Sequence, residues 1–265
     1  MKKFLSLALA VMLLGSVAGC GGSTDKKEAA STGKPAAKDE LIVATEPSFA
    51  PFEFPDEKSK DFTGFDMDLI RAIAKEMGYK KCTIKNMGFD ALIPALTAGN
   101  IDVAIAGMTI TDARKEKVNF SQAYYKSGLA IIVRKDDNSI KGIDDLKGKK
   151  LAVQIGTTGA DRAAKIEGAK ISTFNTSDLA CLELKNKNAD AVISDLPVLQ
   201  YFLTKGGSEY AKLVGKPLTD EGYGIAVAKK NTQLAKDIDA ALDKLKKNGE
   251  YDKLYKQWFG SAPTK

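Results

Sequence analysis

The stretch ALIPALTAGNIDVAIAGMTITDAR, residues 91–114, decides the architecture of this chain. Its first part has the apolar spacing of a helix, with Asp90 as a candidate N-cap and Gly99 as the terminating residue. The apolar run at 101–105 follows at once and has the length and composition of a buried strand. A helix that leads directly into a buried strand is typical of α/β proteins.

A second copy of this pattern lies further along the chain. Asn-Ile-Asp-Val-Ala-Ile, residues 100–105, and Asn-Ala-Asp-Ala-Val-Ile, residues 188–193, each follow a helical pattern and begin an apolar strand. Polar residues come just after each strand, Thr109 in the first copy and Ser194 with Asp195 in the second. Ligands of open α/β sheets bind beyond the carboxyl ends of the strands. Two similar lobes facing each other would therefore both supply polar groups to one cleft.

The other hydrophobic patterns fit the same architecture. Short apolar or alternating runs predict further strands at 41–44, 82–87, 129–133, 151–155, 171–174 and 223–228. Helical spacing predicts helices over 69–77, 179–187 and 234–258, the last of them broken near Asn248-Gly249. Strands that alternate with helices predict an α/β architecture with mostly parallel sheets.

The N-terminal segment has the pattern of an export signal. Two lysines precede an almost wholly apolar run, residues 4–14, which is too short to span a bilayer comfortably. Small residues then lead directly to Cys20, as in a lipoprotein cleavage site. We therefore predict a signal peptide over 1–19 and acylation of Cys20, which would anchor the protein outside the cytoplasm of a bacterial cell. Residues 20–39 contain no large apolar side chain and are predicted to form a flexible tether.

The composition excludes several classes of function. The chain contains no histidine, which removes Ser-His-Asp and Cys-His catalysis and histidine-ligated metal sites, and we expect no cofactor. The formal net charge is +6, and it is +4 without the two lysines of the signal. The lysines are interspersed with acids, as in residues 115–117, so we expect no nucleic-acid binding. We predict Cys82 and Cys181 in different lobes, which favours free thiols over a disulfide.

Four motifs resemble the extracellular amino-acid-binding proteins of ABC importers. They are ATEPSFAPFEF (44–54), FTGFDMDLIRAIAKEMG (62–78), ALIPALTAGNIDVAIAGMTITDARKEKVNFSQAYYKSG (91–128) and YDKLYKQWFG (251–260). The resemblance implies a two-lobed periplasmic-binding-protein fold, with a mostly parallel sheet flanked by helices in each lobe. It also implies a monomer that binds a free amino acid, closes by a hinge and delivers the ligand to a membrane permease. The implied boundaries are lobe 1 at 40–123 plus 224–265, lobe 2 at 129–218, and hinge strands at 124–128 and 219–223.

The resemblance and the chemistry of an amino acid together indicate the binding residues. Arg114 would bind the ligand carboxylate through two parallel hydrogen bonds, although an exposed arginine at a helix start is the alternative. Asp195 would accept from the ligand ammonium, and the alternative is an N-cap of the next helix. Thr109 and the Gly107 backbone would add partners for the same groups. Thr158 lies in a Gly-Thr-Thr-Gly turn whose backbone amides suit a carboxylate.

Further residues are expected to contact the ligand side chain. The resemblance places Phe49 and Phe89 on either side of its aliphatic stem, although an arbitrary phenylalanine is more often part of a core. Glu46 matches an acidic position and would accept hydrogen bonds from N–H groups at the end of the ligand side chain.

The choice of ligand depends on two departures from the family pattern. Glutamine-binding members have a lysine at the position of Gln154 and a histidine at the position of Ser194. Glu46 and Asp195 against Arg114 give a formal site charge of −1, which favours a basic amino acid such as arginine, lysine or histidine. Similarity along the whole chain favours glutamine, which is the preferred prediction.

Two other classes of function compete with transport. An enzyme on this scaffold, such as a dehydratase, would need a general acid in the cleft, and Glu46 could serve. We expect no enzyme, because the predicted binding groups form a clamp that leaves the ligand unchanged. The sensor domain of a larger receptor is the second alternative, and it is disfavoured because no channel or kinase pattern occurs before Lys265.

Overall fold

The computed structural model describes residues 38–263. The predicted signal peptide and Cys20 lie outside these residues, as does the tether up to residue 37. The described strands are β1 (Lys38–Thr45), β2 (Phe54–Pro55), β3 (Phe62–Thr63), β4 (Tyr79–Asn86), β5 (Val103–Ala104), β6 (Val118–Phe120), β7 (Tyr125–Ser127), β8 (Leu129–Arg134), β9 (Lys150–Gln154), β10 (Lys170–Phe174), β11 (Ala191–Asp195), β12 (Ala211–Val214), β13 (Glu221–Tyr223) and β14 (Ala226–Ala228).

The described helices connect these strands and close the chain. They are α1 (Phe65–Glu76), α2 (Phe89–Ala98), α3 (Asp112–Lys115), α4 (Thr158–Ala163), α5 (Ser177–Lys185), α6 (Leu196–Thr204), α7 (Thr232–Lys247) and α8 (Glu250–Phe259). Among residues 38–263, no helix has the length and apolar character needed to cross a membrane.

Two five-stranded sheets with the same topology confirm the two-lobed α/β fold. Their strand orders are β4-β1-β5-β14-β6 and β10-β9-β11-β8-β12. In each sheet the first three strands are parallel, and the remaining pairings are antiparallel. The sheets are therefore mixed and parallel in one half only. The antiparallel halves arise because β8 and β14 each enter their sheet soon after a crossing between the lobes.

Each sheet is covered on both faces, as its strand patterns require. Val43 packs with residues of α1 and α7, whereas its neighbour Ala44 packs with residues of α2. In the second sheet Val153 and its neighbour Ala152 likewise belong to two different apolar clusters, one on each face of the sheet. Successive residues of a strand point to opposite faces, so a strand that is apolar throughout is buried on both sides.

The Asn-x-Asp repeat has a structural basis. Asp102 accepts a hydrogen bond from the backbone N–H of Ile42 over 2.9 Å, and its own N–H donates to the Ile42 carbonyl over 2.9 Å. Asp190 makes the same two contacts with Lys150, over 2.9 and 2.8 Å. Asp102 therefore connects the start of β5 to β1, and Asp190 connects the start of β11 to β9 in the same way.

A short ribbon connects the lobes. Strands β7 and β13 pair antiparallel with each other, with Ser127 opposite Glu221 and Tyr125 opposite Tyr223. The ribbon lies within the two ranges predicted as hinge strands, and the predicted lobe boundaries remain predictions. Cys82 on β4 and Cys181 on α5 are free thiols.

Three local predictions differ from the structure. Helix α2 begins at Phe89, so Asp90 lies in its first turn and does not cap it. The strand expected over 101–105 pairs only at β5, and the strand expected over 223–228 is divided into β13 and β14. Gly224 lies between those two, where a Cβ atom would come within 2.7 Å of Ile110. The predicted break at Asn248-Gly249 is confirmed, with Gly249 in the left-handed region that glycine favours.

Candidate ligand-binding site

A small cavity lies between the lobes, and its walls include residues at the carboxyl ends of β1, β5, β9 and β11. The structure brings all nine residues predicted to bind the ligand to its walls: Glu46, Phe49, Phe89, Gly107, Thr109, Arg114, Gln154, Thr158 and Asp195. Three further residues line the cavity, Glu53, Ala106 and Thr157, of which Thr157 belongs to the Gly-Thr-Thr-Gly turn predicted to face a carboxylate.

Arg114 spans the cleft from the first lobe. Its guanidinium donates to the Thr109 carbonyl over 2.7 Å and to the Gly156 carbonyl of the second lobe over 2.9 Å. The group also lies 5.3 Å from the centre of the Phe89 ring. Burial lowers the pKa of Arg114, although an arginine remains charged at any ordinary pH. A partly buried cation with unused N–H donors is therefore available to an anionic ligand group.

Asp195 occupies the N-cap position of α6 but its side chain does not cap the helix. Its Oδ1 atom instead accepts from the Tyr223 hydroxyl over 2.6 Å and from the Ser127 hydroxyl over 3.1 Å. Burial raises the pKa of Asp195 to about 7, against the opposing effect of the Tyr223 bond. The residue therefore links the ribbon between the lobes to the cavity and has Oδ2 free to accept from a ligand.

Glu46 and Gln154 form a contact between the lobes. Gln154 donates through Nε2 to Glu46 over 3.0 Å and to the Asn175 carbonyl over 3.1 Å. Glu46 also accepts from the Ser48 hydroxyl over 2.7 Å, and burial raises its pKa. Ser194 does not line the cavity, because its hydroxyl pairs with that of Ser177 at 3.1 Å.

Two threonines of the cavity share a carboxylate partner that was not predicted. Thr109 and Thr158 donate to Oε2 of Glu221 over 2.7 and 3.0 Å. Thr219 donates to the other oxygen, Oε1, over 2.9 Å. Because both cavity hydroxyls use their proton on Glu221, they face a ligand as acceptors.

Gly107 allows the Phe49 ring to approach the backbone closely. Its φ is +52°, and a Cβ atom there would lie 2.7 Å from the Phe49 ring. The Gly107 N–H donates to Asp66 over 2.9 Å, so the carbonyl is the part of the Gly107 backbone that remains for a ligand. Phe49 is buried and Phe89 partly buried, and both line the cavity.

Glu53 is the lining residue with the most unusual environment. Its exposed fraction is 0%, and burial raises the pKa of its carboxyl well above the ordinary value. The sequence offered one signal, a glutamate between phenylalanines in Phe-Glu-Phe, residues 52–54. Within residues 38–263, no acidic or cysteine cluster has the arrangement needed to hold a metal ion.

Comparison with known sequences defines the class of the protein. The profile of the bacterial extracellular solute-binding proteins, family 3, matches residues 41–261, and the chain belongs to this family. The ABC transporter glutamine-binding protein GlnH of Bacillus subtilis (strain 168) is 36% identical, and the alignment covers 100% of both chains.

Solved structures of similar proteins share the fold. An ancestral arginine-binding protein bound to arginine is 46% identical, with a TM-score of 0.80 over 83% of this chain and 98% of that one. An ancestral amino acid-binding protein, described as a precursor of cyclohexadienyl dehydratase, is 39% identical, with a TM-score of 0.77. That match covers 83% of this chain and 95% of the other.

Proposed function

We propose that this protein captures a free basic amino acid, arginine or lysine, in the cleft between its lobes and delivers it to the permease of an ABC importer. The observation that carries the choice of ligand is the hydrogen bonding of Gln154. Both of its amide N–H groups are directed to acceptors, Glu46 and the Asn175 carbonyl. Gln154 therefore offers the ligand only its carbonyl oxygen, as an acceptor.

The side-chain end of the site suits a donor ligand. A guanidinium or ammonium group brings only donors, and the Glu46 carboxylate and the Gln154 carbonyl would accept from them. Glu46 and Asp195 against Arg114 give a formal charge of −1, which a ligand of charge +1 neutralises. Because a buried charge without a partner is costly, neutralisation favours the basic ligand.

The other end of the site suits the groups that every amino acid shares. Arg114 would bind the ligand carboxylate through the N–H donors that its bonds to the Thr109 and Gly156 carbonyls leave unused. Asp195 would accept from the ligand ammonium through Oδ2, and Thr109 would accept through its hydroxyl oxygen. Phe49 and Phe89 would pack against the aliphatic stem.

Glutamine is the second candidate, because a relative that matches over its whole length is a glutamine-binding protein. Glu46 could accept from the amide NH₂ of glutamine. The amide oxygen would need a donor, which Gln154 could supply only by leaving Asn175 or Glu46. The loss of one of these bonds is the physical reason for ranking glutamine second.

We also propose that the protein is not an enzyme. The residues around the cavity make a charge clamp, and Glu46, the one group considered as a general acid, is already paired with Gln154 and Ser48. A solved neighbour related to a dehydratase makes this worth testing. Chromatography of candidate amino acids after incubation with the protein should recover them unchanged, and a new product would contradict this reading.

The lipid anchor and the monomeric state are proposals as well. The small residues before Cys20 motivate the anchor. Intact-mass analysis of protein extracted from membranes should give a chain that starts at an acylated Cys20. A soluble chain cleaved at another position would contradict it.

A thermal-shift screen against the common amino acids tests the proposed ligand. A ligand that binds only the folded state raises the melting temperature, by an amount that grows with its concentration relative to Kd. We expect arginine and lysine to give the largest shifts. A large shift with glutamine alone would replace the first candidate by the second, and no shift with any amino acid would overturn the proposed function.

A further inference from the structure

The carboxyl group of Glu53 lies on the cavity wall without a conventional hydrogen-bond donor. The side chain is fully buried, yet neither carboxyl oxygen receives a hydrogen bond from any backbone N–H, amide or hydroxyl of residues 38–263. A buried ionised carboxylate in that position would be very unfavourable. Its environment therefore requires either a proton on the group or a partner of another kind.

Asp66 on α1 is that partner. Its Oδ2 atom accepts from the Gly107 N–H over 2.9 Å and from the Tyr124 hydroxyl over 2.6 Å, while Oδ1 receives no such bond. The two carboxyls belong to neighbouring segments, since the Asp66 N–H donates to the Phe52 carbonyl over 2.9 Å, and each carboxyl affects the pKa of the other. A hydrogen bond between Glu53 and Oδ1 of Asp66, neither of which has another donor, forms only when one carboxyl carries a proton, because two carboxylates have no donor between them.

We propose that Glu53 and Asp66 share one proton, with Glu53 as the neutral donor and Asp66 as the charged acceptor, and that this pair positions the cavity wall and the hinge for ligand binding. The part that concerns ligand affinity rests on the proposed function. The shared proton itself does not.

The surrounding charges agree with this assignment. Burial and the neighbouring acids Asp66, Glu46 and Asp195 all raise the pKa of Glu53. Asp66 is better placed to ionise, because bonds from Tyr124 and Gly107 oppose the effect of burial and its pKa is about 6. Burial raises the pKa of Tyr124 well above its usual value, so its hydroxyl remains a donor. At neutral pH the pair therefore holds one proton and one negative charge.

The pair connects two parts of the binding apparatus. Through Asp66 it holds the Gly107 backbone, against which the Phe49 ring lies. Through the same oxygen it holds Tyr124, which directly precedes strand β7 of the ribbon between the lobes. Without the donor from Glu53, the Asp66 carboxylate would have a buried oxygen without a partner and would be expected to move.

The shared proton can be tested without any ligand. The folded protein keeps the Glu53 proton, whereas the unfolded chain loses it above the ordinary glutamate pKa of about 4.3. The contribution of Glu53 to the free energy of unfolding is therefore complete at low pH. It is lost as the pH rises toward the pKa of Glu53 in the folded protein. Glu53→Gln is neutral at every pH and keeps an N–H donor for Asp66. Between pH 5.5 and 7.5, denaturant titrations should show the unfolding constant of the wild type rising about 100-fold relative to Glu53→Gln. A ratio that does not change with pH would overturn the shared proton.

The positioning role needs a second comparison. Calorimetry with arginine at pH 7 should show Glu53→Leu binding at least tenfold more weakly than wild type, with Glu53→Gln recovering at least tenfold of affinity over Glu53→Leu. Leu146→Ala, a core truncation in the second lobe, controls for lost stability and should bind as the wild type does.

If Glu53→Leu does not fold, Tyr124→Phe removes the other side-chain donor to Asp66 and should weaken binding at least threefold. Equal affinities for the variants that fold would overturn the positioning role. If arginine binds to none of the proteins, the proposed ligand fails while the pH comparison still reports on the proton.

Discussion

The side-chain amide of Gln154 donates to the carboxylate of Glu46 over 3.0 Å, and this bond joins the second lobe to the first. Its other donor goes to the Asn175 carbonyl at the end of β10. The orientation of the amide is thereby fixed, because turning it over would bring its oxygen against two acceptors. The contact between these two side chains thus joins the lobes, and in the proposed function the same pair defines the end of the cavity where ligand side chains are distinguished.

Arg114→Ala should abolish tight binding without unfolding the protein. The substitution leaves the ligand carboxylate without its cation, and truncating one member of such a pair costs about 2–5 kcal/mol. Calorimetry with arginine should therefore show affinity at least about 30-fold weaker. Arg71→Ala is the matched control, because Arg71 pairs with Asp61 at the surface, outside the cavity. Near-normal binding by Arg114→Ala, or an equal loss in the control, would contradict the role of Arg114.

Ligand affinity should fall as the solution becomes acidic. Asp195 must be ionised to accept from the ligand ammonium, and burial raises its pKa to about 7. Below that pH, arginine must compete with a proton, and affinity should drop up to about tenfold per pH unit. Stability without ligand should change in the opposite direction, because a raised carboxyl pKa favours the folded state at low pH. Asp195→Asn should bind weakly, with a smaller dependence on pH between 5.5 and 8. An identical pH profile in both proteins would assign the effect to another group.

Binding of arginine should close the lobes, and Trp258 should report it. Phe54 lies between the single tryptophan of the chain and Tyr201 of the second lobe, with ring centres 5.8 and 6.2 Å away. Separation of the lobes would remove Tyr201 from Phe54 and change the surroundings of Trp258. Adding arginine should change the tryptophan fluorescence and decrease the radius of gyration measured by small-angle scattering. Tyr201→Ala should reduce the fluorescence change and keep the scattering change. A scattering profile unaffected by saturating arginine would indicate a rigid receptor.

Much of the fold could be predicted because its signals are local. Apolar periodicity located β1, β9 and β11 to within a few residues, and Gly99 and Gly249 ended or interrupted helices where expected. The antiparallel halves of the sheets could not be predicted in this way. They depend on where the chain re-enters each lobe after a crossing, and no local pattern records that.

The binding site likewise contains some residues that could be predicted from the sequence and others that could not. Arg114 and Asp195 could be predicted from their chemistry and from motifs that resemble a known family, and both line the cavity. Glu53 and Glu221 could not, because their partners are distant in sequence: Asp66 for the first, and Thr109 with Thr158 for the second. An isolated acid in an apolar or strand segment gives no indication of its partner until the chain is folded.

Side-by-side calorimetric titration of the wild type and Gln154→Lys with arginine and with glutamine tests the central claim most directly. A lysine at 154 would place a cation beside Glu46, where the guanidinium of bound arginine is proposed to lie. Like charges brought together across an interface cost several kcal/mol. If the ligand is basic, the wild type should bind arginine more tightly than glutamine, and the variant should lose at least about 100-fold in arginine affinity. If glutamine is the ligand, the new lysine would donate to its amide oxygen, so glutamine affinity should be kept or improved. Tighter binding of glutamine than of arginine by the wild type, with glutamine affinity preserved in Gln154→Lys, would contradict the account.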